Sequence, residues 1–134
     1  MYCSETQVRV RYGETDQMGY AYYGNYTLYY EVARVELLRQ LGFSYKFMEE
    51  NGVMLPVLSL NVKYIKPAFY DELLTIKTII KELPQARITF AYEIFNEKNT
   101  LINTGETTLV FINKETNKPC IAPAWFLEAL AKHF

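Results

Sequence analysis

The stretch "YGETDQMGYAYYGNYTLYYEVAR", residues 12–34, decides the fold. Six of the chain's twelve tyrosines fall between Tyr20 and Tyr30, directly after an acidic pair, Glu14 and Asp16, and a glycine, Gly19. The first half reads as a loop over 13–24, punctuated by Gly13, Gly19 and Gly24. The second half opens a helix. From Asn25 to Leu41 no Gly or Pro intervenes, with Asn25 placed as N-cap and Gly42 as the stop. Tyr26, Tyr29, Tyr30, Ala33, Leu37 and Leu41 recur at helical spacing, while Leu28, Val32, Val35 and Leu38 fill much of the remaining circumference. A helix apolar nearly all round is expected to be buried, wrapped by the rest of the chain. Its charges, Glu31, Arg34, Glu36 and Arg39, are expected as rim or interface pairs.

Upstream, "QVRVRY" (7–12) alternates with period two and predicts a strand with Val8, Val10 and Tyr12 on one face. Downstream, "FSYKFMEENG" (43–52) predicts a short second helix stopped by Gly52. In "LPVLSLNVKYIKPA", Leu58, Leu60, Val62 and Tyr64 alternate with polar residues, which predicts a half-buried strand ended by Pro67. "ELLTIKTIIKEL" is a further strand broken by Pro84, and "RITFAYEIFNEKNT" turns near 96–100 into "LINTGETTLVFINKE" as a long hairpin. "APAWFLEALAKHF" closes the chain as a short helix with proline at its start. Strand, long helix, then four strands able to form a meander define an α+β domain: one helix against one curved antiparallel five-stranded sheet, spanning 1–134. One such layer pair covers a single sheet face. With 16% aromatic residues to bury, a homodimer or homotetramer is expected.

Composition narrows the function. A chain of 134 residues makes one domain, and 50% hydrophobic with 22% charged residues is globular composition. A net charge of -1 leaves no basic excess to neutralise a nucleic-acid backbone. No apolar run is long enough to span a membrane, and "MYCSETQVRVRYG" lacks the apolar segment of a secretory signal, so a cytoplasmic protein is expected. Cys3 and Cys120 have no metal-type spacing and read as free thiols. The single histidine, His133, is the penultimate residue, so a nucleophile–histidine system would rest on the end of the chain. Zinc and iron sites usually need more imidazole or thiolate than this. Carboxylates and backbone dipoles are left to do the chemistry, with no cofactor expected.

"RYGETDQMGYAYYGNYTLYYEVARVELLRQLG" resembles the opening of the hotdog-fold acyl-CoA thioesterases of the 4-hydroxybenzoyl-CoA thioesterase type. The resemblance runs through an aspartate, a glycine three residues on, and an aromatic or histidine shortly before Asn-Tyr at the head of a long helix. Those positions are Asp16, Gly19, Tyr23, Asn25 and Tyr26. "VKYIKPAFYDELLTIKT" is similar to the family's strand carrying Tyr-x-x-Pro-Ala-x-Tyr-Asp. Many relatives have histidine where Tyr23 stands, whereas the 4-hydroxybenzoyl-CoA branch has tyrosine. The resemblance implies hydrolysis of a thioester to a free acid and a thiol.

That reaction needs a nucleophile and an oxyanion stabiliser. Free N–H groups at a helix N-terminus polarise a carbonyl, and the Tyr23-Gly24-Asn25 segment delivers them here. The resemblance points to the Tyr23 N–H, helped by Gly24. Asp16, partly desolvated among Tyr20, Tyr22 and Tyr23, either attacks directly or activates water. Its bland reading is a turn or capping aspartate, and Glu14 is the rival carboxylate, whose bland reading is a solvated charge. Tyr20, Tyr22, Tyr23 and Gly19 are expected to line or close the acyl pocket at a dimer interface. Lys63, Lys66, Lys81 and Arg87 are candidates for the coenzyme A phosphates. Relatives have a denser basic cluster near "LPQAR", so an acyl carrier protein is an alternative donor. Two other readings compete: a hydratase or dehydratase on the same fold, and a non-catalytic oligomer that binds an acyl thioester.

Overall fold

A computed structural model describes residues 1–134. In chain order the elements are β1 (Tyr2–Arg9), α1 (Tyr26–Gln40), α2 (Tyr45–Glu50), β2 (Val53–Met54), β3 (Val57–Tyr64), β4 (Leu73–Ile80), β5 (Arg87–Phe95), β6 (Leu101–Val110), β7 (Ile112–Asn113), β8 (Lys118–Pro119) and α3 (Ala124–Ala131). Two 3₁₀ turns, Tyr12–Glu14 and Tyr23–Asn25, lie between β1 and α1. Five strands form one antiparallel sheet in the order β1-β4-β5-β6-β3, with α1 across one face. The fold is the expected α+β hotdog.

Local signals explain most elements. α1 has no helix breaker until Gly42, which takes φ +99° just past the helix end. Ser44 caps α2 by accepting the Phe47 N–H at 3.0 Å. The β5–β6 hairpin turns at Asn96, whose Oδ1 accepts the N–H groups of Lys98 and Thr100, each at 3.0 Å.

The helix meets the sheet through one ring. Tyr30 is fully buried and stacks on Tyr92 of β5 with ring centroids 4.2 Å apart and planes 3° from parallel. Its hydroxyl donates to Oδ1 of the buried Asn103 on β6. The ring lies over Gly105, which is paired with Tyr92 across the sheet. A Cβ on Gly105 would come 2.6 Å from ring carbons of Tyr30.

Five expectations change. β1 begins at Tyr2 rather than Gln7, and its inward series starts with Ser4 and Thr6, polar residues that hid the alternation. Tyr12 leaves that face, since the first 3₁₀ turn carries it into solvent. β3 does not neighbour β4 as a meander requires, because it pairs with β6 while β4 joins β1. β3 is therefore an edge strand lying beyond the helix, and its apolar side chains are exposed, Leu60 by 47% and Tyr64 by 49%. The helix is covered on one side only, leaving Leu28 and Val32 exposed by 54% and 43%. Among its charges, Glu36 and Arg39 do pair, but Arg34 is buried and donates from Nε to the Tyr45 hydroxyl at 2.9 Å.

Because Tyr30 is fixed by stacking and by Asn103, it cannot swing clear of a new methyl group. Gly105→Ala is expected to lower stability by about 1–3 kcal/mol, the scale of core overpacking. Urea unfolding followed by far-UV circular dichroism measures it.

Candidate active site

The site is built by the connection from β1 to α1. Val10, buried at the strand end, exchanges backbone hydrogen bonds with Asp71 and Glu72. The chain then makes the Tyr12–Glu14 turn and doubles back on itself. Thr15 pairs with Ala21, and the Asp16 N–H donates to the Tyr20 carbonyl at 2.8 Å. Gly19, at φ +80°, closes this tight turn, a conformation that glycine adopts without strain. The returning arm is fixed to the segment before β4, with the Ala21 N–H on the Ala68 carbonyl at 2.8 Å and Tyr20 bridged to Phe69.

Asp16 is partly buried. Its Oδ1 accepts the N–H groups of Met18 at 2.9 Å and Tyr20 at 3.2 Å, while Oδ2 accepts from no group of the chain. The turn role and an available carboxylate oxygen thus coexist in one residue. Tyr26 connects this carboxylate to the core. Burial raises its phenol pKa most and the Ala68 backbone opposes; Tyr64, Glu72 and Asp16 add to the rise.

At the head of α1, the Tyr23 and Gly24 N–H groups take part in none of the turn, loop and cap hydrogen bonds. The first N–H groups of a helical turn have no partner within it, so these two are open donors. The Tyr23 carbonyl is held, accepting the Tyr64 hydroxyl at 3.0 Å. A Cβ on Gly24 would come 2.9 Å from the exposed Tyr22 ring, which would have to shift to admit it. Asn25 occupies the N-cap position but does not cap; its Nδ2 donates to the Glu14 carbonyl at 2.8 Å.

Glu14 is no solvated charge. Its side chain is 15% exposed and pairs with the Arg11 guanidinium at 2.9 Å, and it accepts the Tyr29 hydroxyl at 3.0 Å. Burial pushes its carboxyl pKa up. Hydrogen bonds from the Arg11 N–H, the Arg11 side chain and Tyr29, with the Arg11 charge, outweigh that and hold it below the ordinary glutamate value.

Tyr26, Tyr29 and Tyr30 are buried, as their expected packing role requires, and Tyr20, Tyr22 and Tyr23 are exposed, Tyr23 by 63%. The basic candidates stand elsewhere. Strand alternation sets Lys63 on the sheet face away from α1, where it lines a groove of about 430 Å³. Arg87 lines an adjoining groove of about 550 Å³, and Lys81 borders both. Lys66 lines neither groove. Within one chain these groups do not meet Asp16; the link is Tyr64, next to Lys63 on β3 but turned to the other face, against the rings of Tyr23 and Tyr26. The sequence places Tyr64 in a strand and at the start of the Tyr-x-x-Pro-Ala-x-Tyr-Asp element, without a site role. Its signal was an aromatic on the apolar face at the strand's end.

A single long helix across one face of a five-stranded antiparallel sheet is the architecture of the hotdog thioesterases. Residues 10–130 match the model of the thioesterase-like superfamily. YneP of Bacillus subtilis strain 168, which carries an acyl-CoA thioesterase assignment, is 37% identical over 119 residues, covering 89% of this chain and 86% of that protein. The acyl-CoA thioester hydrolase YbgC of Escherichia coli O157:H7 is 35% identical over 116 residues, 87% of each chain. The crystal structure of a DHNA-CoA thioesterase from Staphylococcus aureus superposes with a TM-score of 0.91 at 44% identity, covering 99% of this chain and 91% of that one. The chain belongs to the thioesterase-like superfamily and is a thioester hydrolase.

The depressed carboxyl of Glu14 fixes a pH dependence. A group whose folded pKa lies below its unfolded value, about 4.3 for glutamate, contributes stability above that value and loses it as pH falls through the folded pKa. Stability of the wild type is expected to fall more steeply over this acid range than that of Glu14→Gln. Urea midpoints measured at a series of pH values below neutrality test it; parallel curves for the two proteins would exclude the effect.

Proposed function

We propose that this protein hydrolyses acyl-CoA thioesters, with Asp16 as nucleophile or general base and the Tyr23 N–H, helped by Gly24, as oxyanion donor. Two observations carry the reading: a carboxylate oxygen of Asp16 without a partner, and open N–H groups at the head of α1. In the nucleophilic route Asp16 adds to the thioester carbonyl, the oxyanion rests on those N–H groups, and the thiolate leaves and is protonated. Water then cleaves the resulting anhydride to the acid and restores Asp16. In the general-base route Asp16 takes the proton of the attacking water and the same donors serve the oxyanion.

The exposed rim of Tyr20, Tyr22 and Tyr23 beside Gly19 supports an acyl site at that end. The DHNA-CoA named for the Staphylococcus aureus protein supports including aromatic acyl groups among the substrates. Lys63 and Arg87 supply cations for coenzyme A phosphates from the grooves they line, whereas Lys66 lines neither groove and Asn25 stands at the head of α1. The edge of β3 presents unpaired backbone groups and exposed Val57, Leu58 and Leu60. An edge of this kind supports a homodimer joined along β3, or a homotetramer built from it. Two free thiols suit the reducing cytoplasm, and no helix is long and apolar enough to cross a membrane.

Thiol release from short, long and aromatic acyl-CoAs tests the assignment, with wild type and Asp16→Asn side by side. Loss of general-base or nucleophilic action should lower kcat by about 10²–10⁴-fold in the variant with fold and oligomer unchanged. Stoichiometric acyl-CoA binding with a rate indifferent to Asp16→Asn would refute it in favour of a binding role. Release only from acyl carrier protein thioesters would move the donor and keep the chemistry.

A further inference from the structure

We propose that Glu14 is the positioning residue of this site, joining the acidic turn to the head of α1 so that the open N–H groups stay in register with Asp16. The inference rests on reading Asp16 and the Tyr23 N–H as the catalytic pair.

The connections are specific. Through its side chain, Oε1 accepts the Arg11 N–H at 2.8 Å and the Tyr29 hydroxyl at 3.0 Å, and Oε2 accepts the Arg11 Nε at 3.0 Å. Through its carbonyl, Glu14 accepts the Tyr22 N–H and the Asn25 side-chain amide, both at 2.8 Å. Tyr22 and Asn25 flank Tyr23 and Gly24, so both ends of the donor segment are tied to one residue. Two residues further along the chain is Asp16. Tyr29 stands on the first turn of α1 and is buried, so its bond orients the helix head as well as the loop. Burial, followed by the Glu14 bond, pushes the Tyr29 phenol pKa upward, which keeps it a donor over the working pH range.

Two other roles for Glu14 fit less well. A solvated surface charge would not have both oxygens occupied. A second catalytic acid would need a proton to give, and a carboxylate held by Arg11 stays ionised. What remains is geometry. Both Glu14 carboxylate oxygens are already occupied by Arg11 and Tyr29, so loosening it should act on the chemical step and leave substrate affinity nearly unchanged.

The test is steady-state thiol release by the full chain, using whichever of benzoyl-, hexanoyl- and palmitoyl-CoA the wild type hydrolyses fastest. The variants are Glu14→Gln, Tyr29→Phe, their double mutant, and Asp16→Asn. Glu14→Gln and Tyr29→Phe are expected to lower kcat per folded molecule by about 10- to 100-fold, as a displacement of roughly 1 Å does, with KM within about threefold of wild type. The double mutant should be no slower than the worse single, since both remove one shared connection. A purely structural role would lower the melting midpoint and leave kcat per folded molecule at the wild-type value. That result in either single variant overturns the proposal, as does a change carried by KM alone. If Glu14→Gln does not fold, Tyr29→Phe, which removes a single hydroxyl, decides. Full activity in Asp16→Asn would instead overturn the assignment of the site on which the proposal stands.

Discussion

The seating of Tyr30 over Gly105 is the constraint on which the rest of the structure depends. A helix laid on a sheet needs a surface it can approach, and the missing side chain at the middle of β6 provides one. The ring fills it, stacks on Tyr92 and meets Asn103, so a single residue is located along, across and above the sheet. That fixes the height of α1. Four residues toward the N-terminus, on the same helical face, Tyr26 packs edge-on against Tyr64 and brings the helix head to the end of β3. The position of the open N–H groups therefore follows from a packing event two turns away.

The same arrangement explains why the proposed substrate contacts divide between two faces. β3 is the outermost strand, and its alternation sends Tyr64 toward the helix head and Lys63 to the opposite groove. A molecule with an acyl end and an anionic end can use both only by passing around that edge. The edge also leaves apolar side chains exposed, at Val57, Leu58 and Leu60. A single copy thus presents each half of the proposed binding surface without enclosing either. That is the physical reason to expect a second copy along this strand.

Much of the fold was legible in local pattern, and the exceptions share a cause. The helix expected over 25–41 spans 26–40, and the hairpin turn expected near 96–100 falls there, because caps, glycines and alternation are short-range signals. Strand order is not short-range. Nothing in "LPVLSLNVKYIKPA" says that its partner is β6 rather than β4, so its alternating residues were assigned more burial than an edge strand receives. The start of β1 was missed because Ser4 and Thr6 occupy inward positions with polar side chains. At the candidate site, Asp16, Gly19 and Tyr23 stood out through the family resemblance, whereas Glu14 was the rival carboxylate with a solvated charge as its bland reading. Its partners at Tyr29 and Asn25 lie fifteen and eleven residues away, and a glutamate beside a glycine reads as solvated until those partners are placed.

In the proposed site, Asp16 joins a turn residue and a reactive carboxylate in one group. Two backbone N–H groups on Oδ1 remove the rotational freedom that an exposed aspartate would have, and they leave Oδ2 without a partner. An acid held this way has little reorganisation left to perform when a carbonyl arrives, which is the condition under which fixed dipoles and charges are most effective. The tyrosine-rich rim then has a physical role of its own. Rings are large, stiff and only weakly polar, so in the proposed site the exposed Tyr20, Tyr22 and Tyr23 would border an acyl group without offering Asp16 a competing charge. Within that proposal the tyrosines between residues 20 and 30 divide in two: Tyr26, Tyr29 and Tyr30 are buried with the helix, and Tyr20, Tyr22 and Tyr23 stay exposed for the acyl site.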